Sequence, residues 1–191
     1  MQVPLTDTQI AEVRSRFNRE LEKYVGLSEL KKMLGDLIDS AADSARYPGE
    51  GGALPPNMMF LGPPGTGKTD MARLTGWVMH ELGLLGSGSF VEATKQTLLG
   101  QYSNRVGDSV RKCVEDARGG VLFIDEVYAL SRGEEGMGQE AVDALVPLIS
   151  STNDVLFIIA GYHAETMEFM DTNRTPAPPP PPSPLSQSPH L

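Results

Sequence analysis

Cysteine is almost absent from this sequence, since Cys113 is the single one among 191 residues. One cysteine excludes a disulfide within the chain, which is typical of proteins from reducing compartments. Long hydrophobic runs are also lacking, because no apolar stretch approaches the roughly 18 residues that cross a bilayer. Positive charge is scarce: 16 Lys and Arg face 25 Asp and Glu, for a net charge of −9. This balance argues against a surface that neutralises many duplex phosphates, so no nucleic-acid partner is expected.

The amino terminus has no targeting signal of the usual kinds. Residues 1–12 contain neither an apolar h-region nor an Arg-rich, acid-poor segment. We therefore expect a soluble intracellular protein with no membrane partner, cytoplasmic by default, with an organelle left open. At this length, with 40% apolar residues, the chain can bury one core and form one folded unit plus tails.

Composition divides the chain into three predicted zones. In residues 1–56, apolar side chains recur at helical spacing over 5–25 and again from position 28 to just before Pro48, which predicts two amphipathic helices and a loop. Residues 57–173 form the predicted core domain. In the last zone, 174–191, eight of the 14 residues at positions 176–189 are proline, so an extended or disordered tail is expected.

The middle zone alternates short apolar runs with helical patterns. The predicted strands are 57–61, 89–92, 121–125 and 155–160, and the predicted helices between them are 69–82, 105–117 and 139–150. Three of the runs are too continuously apolar to have a solvated face, which indicates parallel strands buried on both sides. The order βαβαβαβ therefore predicts an α/β sandwich with helices on both faces of the sheet. Pro147 is expected to kink or shorten the third helix.

A glycine-rich segment between the first strand and the next helix matches the P-loop pattern. Its residues are Gly62, Pro63, Pro64, Gly65, Thr66, Gly67, Lys68 and Thr69. Glycines allow backbone N–H groups to surround a polyphosphate, and the helix N-terminus adds partial positive charge. Lys68 would contact the β and γ phosphates, and Thr69 would bind Mg²⁺. The alternative is an ordinary Gly and Pro turn.

Two carboxylates follow the buried run that ends at Ile124. Asp125 and Glu126 stand at the carboxyl end of a predicted parallel strand, where ligands of open α/β sheets bind. Asp125 would hold Mg²⁺, and Glu126 would orient or deprotonate the water that attacks the γ-phosphate of ATP. The alternative is that the acidic pair caps the next element.

These motifs together resemble the AAA+ ATPases. The segments VGL, MMFLGPPGTGKT, LLGQY, GGVLFIDEVYAL, GQEAV and FIIAGY are similar to the branch that contains red-type rubisco activase and sporulation stage V protein K. The resemblance covers residues 25–173. It implies a three-layer P-loop NTPase fold of strand order 5-1-4-3-2, a hexameric ring, and ATP-driven pulling on a protein segment through a central pore. The other subunits of such a ring would be copies of this chain or longer relatives of it.

Three further residues take roles from this resemblance. Tyr102 in LLGQY matches the tyrosine of the pore loop that grips the protein substrate, although a surface tyrosine on a loop is the alternative. Tyr162 in FIIAGY stands where the family places a sensor of the γ-phosphate. Gly26 matches the loop beside the adenine, and it is equally explained as a helix C-cap.

The sequence departs from the family pattern after Asn173. The family continues with an arginine finger, a fifth strand and a helical lid, whereas this sequence continues with Arg174 and then the proline-rich tail. The expected sheet is therefore 1-4-3-2 without its fifth strand. Three functions compete at this stage: an Mg²⁺-dependent ATPase that remodels a protein partner, a nucleotide-binding interaction module with little turnover, and a truncated fragment of a longer ATPase. Because arginine fingers accelerate phosphoryl transfer, slow turnover is expected of the chain alone.

Overall fold

The computed structural model describes residues 5–24, 28–46, 56–100, 105–131 and 136–173. The helices are α1 (Asp7–Leu21), α2 (Ser28–Arg46), α3 (Lys68–Glu81), α4 (Lys95–Leu99), α5 (Val106–Asp116), α6 (Met137–Ser151) and α7 (His163–Thr172), and a 3₁₀ turn covers Val127–Leu130. The strands are β1 (Met58–Leu61), β2 (Phe90–Ala93), β3 (Val121–Asp125) and β4 (Leu156–Gly161). The predicted proline-rich tail lies outside the described residues.

The four strands form one parallel sheet in the order β1-β4-β3-β2. This confirms the predicted α/β class and the order 1-4-3-2. Every residue of β4 is buried, as are the first four of β3, as expected for central strands of a sheet covered on both faces. Among the described residues, β1 and β2 lie at the two edges of the sheet.

The side chains of the sheet alternate between two hydrophobic clusters, one on each face. Phe123 and Ile158 pack with α1, α2 and α3 on one face. Leu122 and Phe157 pack with α5 and α6 on the other. Successive side chains along each strand point to opposite faces of the sheet, so the sheet has a hydrophobic core on each face. Helices cover both cores, which gives the three-layer arrangement.

The structure corrects one expectation and adds three elements. Pro147 lies inside α6 and does not shorten it, since the helix extends to Ser151. Pro147 and Asp143, the residue one turn earlier, are both exposed, so water can solvate the carbonyl group that proline leaves without a donor. Three short elements were not predicted from the sequence, each of ten residues or fewer: α4, the 3₁₀ turn and α7.

Candidate nucleotide-binding site

The P-loop joins the end of β1 to the start of α3 at the carboxyl edge of the sheet. The N–H of Gly62 donates to the carbonyl of Gly161 at 3.0 Å, which fixes the first residue of the loop against the end of β4. Gly65 and Gly67 have φ of 72° and 80°, a region that side chains other than glycine rarely adopt. The glycines at these two positions therefore permit the turn that leads into the helix.

The N-terminus of α3 opens onto this loop without a side-chain cap. Gly67 is the N-cap residue, and it has no side chain that could accept the N–H groups of the first turn. These donors, together with the partial positive charge of a 14-residue helix, favour an anion at this position. Thr69, in the same turn, is partly exposed and can offer its hydroxyl to a metal ion.

Lys68 extends back over the loop that precedes it. Its ammonium group donates to the carbonyls of Gly62 and Pro63, each at 2.9 Å. The hydroxyl of Thr66 also donates to the Pro63 carbonyl, at 2.8 Å. These bonds hold a positive charge at the mouth of the P-loop, where the phosphates of a nucleotide would lie.

Asp125 ends β3 beside β4, pairing with Ala160. Its carboxylate accepts the N–H of Glu126 at 3.0 Å. Burial raises the pKa of Asp125 above its usual range, the charge of Glu126 raises it further, and the charge of Lys68 opposes the shift. A half-buried carboxylate with a raised pKa gains from a nearby cation, so this position suits Mg²⁺.

Glu126 has an unusual backbone conformation. Its φ of 49° and ψ of 48° place it in the left-handed region, and it is the one residue other than glycine with positive φ in the described part of the chain. The 3₁₀ turn holds it there, since its carbonyl accepts the N–H of Ala129 at 2.7 Å. This conformation costs on the order of 1–2 kcal/mol in an L-residue. Backbone strain of this kind is concentrated at functional sites.

Tyr162 follows β4 at the same edge of the sheet and precedes α7. Its ring is partly buried, with its centroid 6.0 Å from that of Tyr128. Its carbonyl accepts the first-turn N–H of Thr166 at 2.9 Å. The sensor role of Tyr162 stays a prediction. Tyr102 and Gly26 lie outside the described residues, so their predicted roles also stay predictions.

Two tyrosines beside the predicted site were not predicted as site residues from the sequence. The ring of Tyr24 packs against Gly67, because a Cβ built on that glycine would lie 3.7 Å from the Tyr24 Cδ1 atom. Tyr128 is buried in the 3₁₀ turn, where burial and then the charge of Glu126 raise its pKa to about 12. Tyr128 stands in the quoted segment GGVLFIDEVYAL, two residues after the acidic pair, and this position was the available signal. None of the quoted segments contains Tyr24.

The donor set fits a nucleotide with Mg²⁺. One ammonium group, an uncapped helix N-terminus and hard oxygen ligands from Thr69 and Asp125 converge on one edge of the sheet. In the described part of the chain, no three His, Cys, Asp or Glu residues form a metal cluster. Proteins commonly hold Mg²⁺ through one or two side chains together with substrate phosphates. None of the described helices is long and apolar enough to span a membrane.

Comparison with known proteins identifies relatives of this chain. The profile of the "ATPase family associated with various cellular activities (AAA)" matches residues 58–175. Stage V sporulation protein K of Bacillus subtilis is 33% identical over 166 residues, covering 84% of this chain and 52% of that protein. The chloroplastic ribulose bisphosphate carboxylase/oxygenase activase of Cyanidioschyzon merolae is 33% identical over 181 residues, covering 91% of this chain and 60% of that protein. The ESX-1 secretion system protein EccA1 of Mycobacterium tuberculosis is 34% identical over 163 residues, covering 81% of this chain and 28% of that protein. The chain thus spans between 28% and 60% of the length of these curated relatives.

Proposed function

Because the chain belongs to the AAA family of ATPases, we propose that it binds ATP with Mg²⁺ at the P-loop and hydrolyses it. The observation that carries this proposal is the shared edge of the sheet at which Lys68, Asp125 and Glu126 meet. A bound Mg²⁺ would neutralise phosphate charge during the transfer. Thr69 and Asp125 are the residues that would hold it.

Some residues of the site would bind the phosphates, and others would act in the hydrolysis step. The N–H groups of the P-loop and of the first turn of α3 bind the phosphates, and Lys68 neutralises charge on the β and γ groups. Glu126 orients water for attack on the γ-phosphorus and accepts its proton on a carboxylate oxygen. The bond between the γ-phosphorus and the oxygen that bridges it to the β-phosphate breaks, leaving ADP and inorganic phosphate. We propose that Tyr162 senses the γ-phosphate, on the strength of its match to the family segment FIIAGY.

Thermal unfolding with and without Mg²⁺-ATP tests the binding half of this proposal. A ligand present at 100 times its Kd adds about 2.7 kcal/mol to the free energy of unfolding, which raises the Tm of a chain of this size by about 5–10 °C. Lys68→Ala should lose this rise, and Asp125→Ala should lose its dependence on Mg²⁺. Glu126→Gln is the matched control and should keep the full rise. If millimolar Mg²⁺-ATP leaves the Tm of the wild type unchanged, the proposed function is wrong.

We further propose a protein substrate and a ring assembly, in which Tyr102 would contact that substrate. The support comes from relatives, one of which is named as an activase of another enzyme. Light scattering of Glu126→Gln, which should retain ATP, provides the test. Mass should increase to several subunits when Mg²⁺-ATP is added to this variant and should stay monomeric for Lys68→Ala. A monomer under all conditions would contradict self-assembly of this chain.

A further inference from the structure

A cavity of about 460 Å³ opens between α1 and α3. Arg16 and Arg19 line this α1–α3 cavity from α1, and Arg73 and Trp77 line it from α3. Its volume is within the range of roughly 300–1,000 Å³ that small-molecule sites occupy. The described residues that line it include none of those that the proposed function assigns to catalysis or to Mg²⁺.

Aromatic rings hold two of the guanidinium groups in place. The guanidinium carbon of Arg16 lies 4.7 Å from the centroid of the Trp77 ring, and that of Arg73 lies 4.2 Å from the centroid of Phe90. The indole N–H of Trp77 donates to the carboxylate of Glu81 at 3.1 Å, which orients the ring under Arg16. A guanidinium stacked on a ring keeps its edge N–H donors free, and it loses less conformational freedom when a ligand binds.

Arg16 and Arg19 carry positive charge that the described part of the chain does not neutralise. Within the described ranges, neither guanidinium forms an ion pair with a carboxylate, whereas Arg14 on the same helix pairs with Asp39. Arg16 and Arg19 are three residues apart on α1 and both line the cavity. Like charges at this spacing repel each other. A bound anion would remove this repulsion.

The other charges of the lining do not cancel these two arginines. Arg73 donates to Glu92 at 3.0 Å, and Glu20 pairs with Lys23 at 2.6 Å. Asp70 lies in the first turn of α3, where its charge interacts with the partial positive charge of the helix N-terminus. An anion is therefore favoured at the α1 side of the cavity.

The cavity also has an apolar wall beside the P-loop. Tyr24 and Leu74 line it, and both are half-buried. The ring of Tyr24 rests against Gly67, and the ammonium group of Lys31 donates to the Tyr24 carbonyl at 2.6 Å. A planar or apolar ligand body could pack against this wall while its anionic group contacts the arginines.

We propose that the α1–α3 cavity is a second ligand site, separate from the P-loop, that binds a small phosphate monoester with a planar ring. A phosphate monoester carries close to two negative charges at neutral pH, which matches the two unpaired arginines. Guanidinium groups bind phosphate oxygens through paired N–H donors, and such charge-assisted hydrogen bonds are stronger than neutral ones. This inference does not depend on the proposed function.

Trp77 provides a direct readout, because it is the one tryptophan of the sequence and it lines the cavity. Titration of the full 191-residue chain with phenyl phosphate should change its fluorescence in a saturable way. Arg19→Gln should raise the Kd about tenfold or more, the loss expected for hydrogen bonds to a charged group. Arg111→Gln is the matched control, since Arg111 is an exposed arginine on α5, on the other face of the sheet. Its Kd should equal that of the wild type.

Two further titrations identify the site and the ligand class. Lys68→Ala should bind phenyl phosphate as tightly as the wild type, because the P-loop is not the proposed site. Inorganic phosphate and phenol should each bind more weakly than phenyl phosphate, since each supplies only one of the two groups that the cavity accommodates.

Three results would overturn the inference. One is the absence of saturable binding of phenyl phosphate to the wild type in both fluorescence and calorimetry. Another is an equal Kd for wild type and Arg19→Gln. The third is loss of binding in Lys68→Ala, which would place the phosphate at the P-loop. None of these results would alter the Tm test of ATP binding, so the two proposals fail separately.

Discussion

The backbone strain at Glu126 leads to a prediction that compares two substitutions at one position. Glu126→Gly and Glu126→Ala both remove the carboxylate and every contact it makes, so their difference in stability reports chiefly the backbone. Glycine relieves a left-handed strain of about 1–2 kcal/mol. Glycine also lowers the free energy of unfolding by about 0.5–1 kcal/mol, because it gives the unfolded chain more conformational freedom than alanine does. The Gly variant should therefore be more stable than the Ala variant by about 0.5–1 kcal/mol.

Thermal unfolding without nucleotide measures this difference. For a chain of this size it corresponds to a Tm that is higher by about 1–4 °C for Glu126→Gly. Glu12 gives the matched control, since it is exposed in the interior of α1. There, Glu12→Gly should be less stable than Glu12→Ala by about 1 kcal/mol. If the order at position 126 is the same as at position 12, Glu126 is not held in the left-handed conformation and the strain argument fails.

Other predictions concern packing, reactivity and the sheet edge. Gly76→Ala should lower the free energy of unfolding by about 1–3 kcal/mol, because the new Cβ would lie 2.7 Å from Cγ2 of buried Val121. Gly35→Ala should raise the free energy of unfolding by about 1 kcal/mol, because its Cβ would have nothing within 4 Å. Denaturant unfolding that ranks the two variants in the opposite order would contradict this packing. Burial raises the pKa of the Cys113 thiol above its usual range. Alkylation of Cys113 by iodoacetamide at pH 7 should therefore be slower than alkylation of free cysteine, and it should accelerate only at more alkaline pH. A rate equal to that of free cysteine would contradict the burial of this thiol. Backbone amides of β1 should exchange with solvent faster than those of β3. Among the described residues, β1 pairs with a neighbouring strand on one side only, whereas β3 pairs on both sides. Equal protection of the two strands would mean that another segment covers β1.

Much of the fold could be predicted because its signals are local. The runs that became β3 and β4 are continuously apolar, and the P-loop follows a strand and begins a helix, so pattern and context agree. In residues 57–173, where the observed ends of the predicted helices and strands differ from the predicted ends, they differ by one or two residues. Helix α4 was missed because five residues are too few to show a helical period, although Thr94 and Thr97 form a capping box at its start.

The part of the site that could not be predicted depends on tertiary geometry. Glu126 adopts a left-handed conformation, and nothing in the sequence marks a glutamate for that conformation. The contact of Tyr128 with Gly161 joins residues that only the pairing of β3 with β4 brings together. The expected shortening of α6 at Pro147 was wrong because the cost of a helical proline depends on whether the carbonyl it leaves unpaired can reach water, and the expected kink stays a prediction.

Release of ³²P-phosphate from [γ-³²P]ATP is the measurement that tests the central claim most directly. It should be performed with the chain in excess over ATP and with Mg²⁺, comparing wild type with Glu126→Gln. The carboxylate of Glu126 is proposed to orient water and accept its proton, a contribution of about 10²–10⁴ in rate. Wild type should therefore release phosphate at least about 100 times faster than Glu126→Gln, while both bind ATP equally. Equal rates with ATP bound to both would contradict catalysis by Glu126 and would instead favour a nucleotide-binding module that does not turn over.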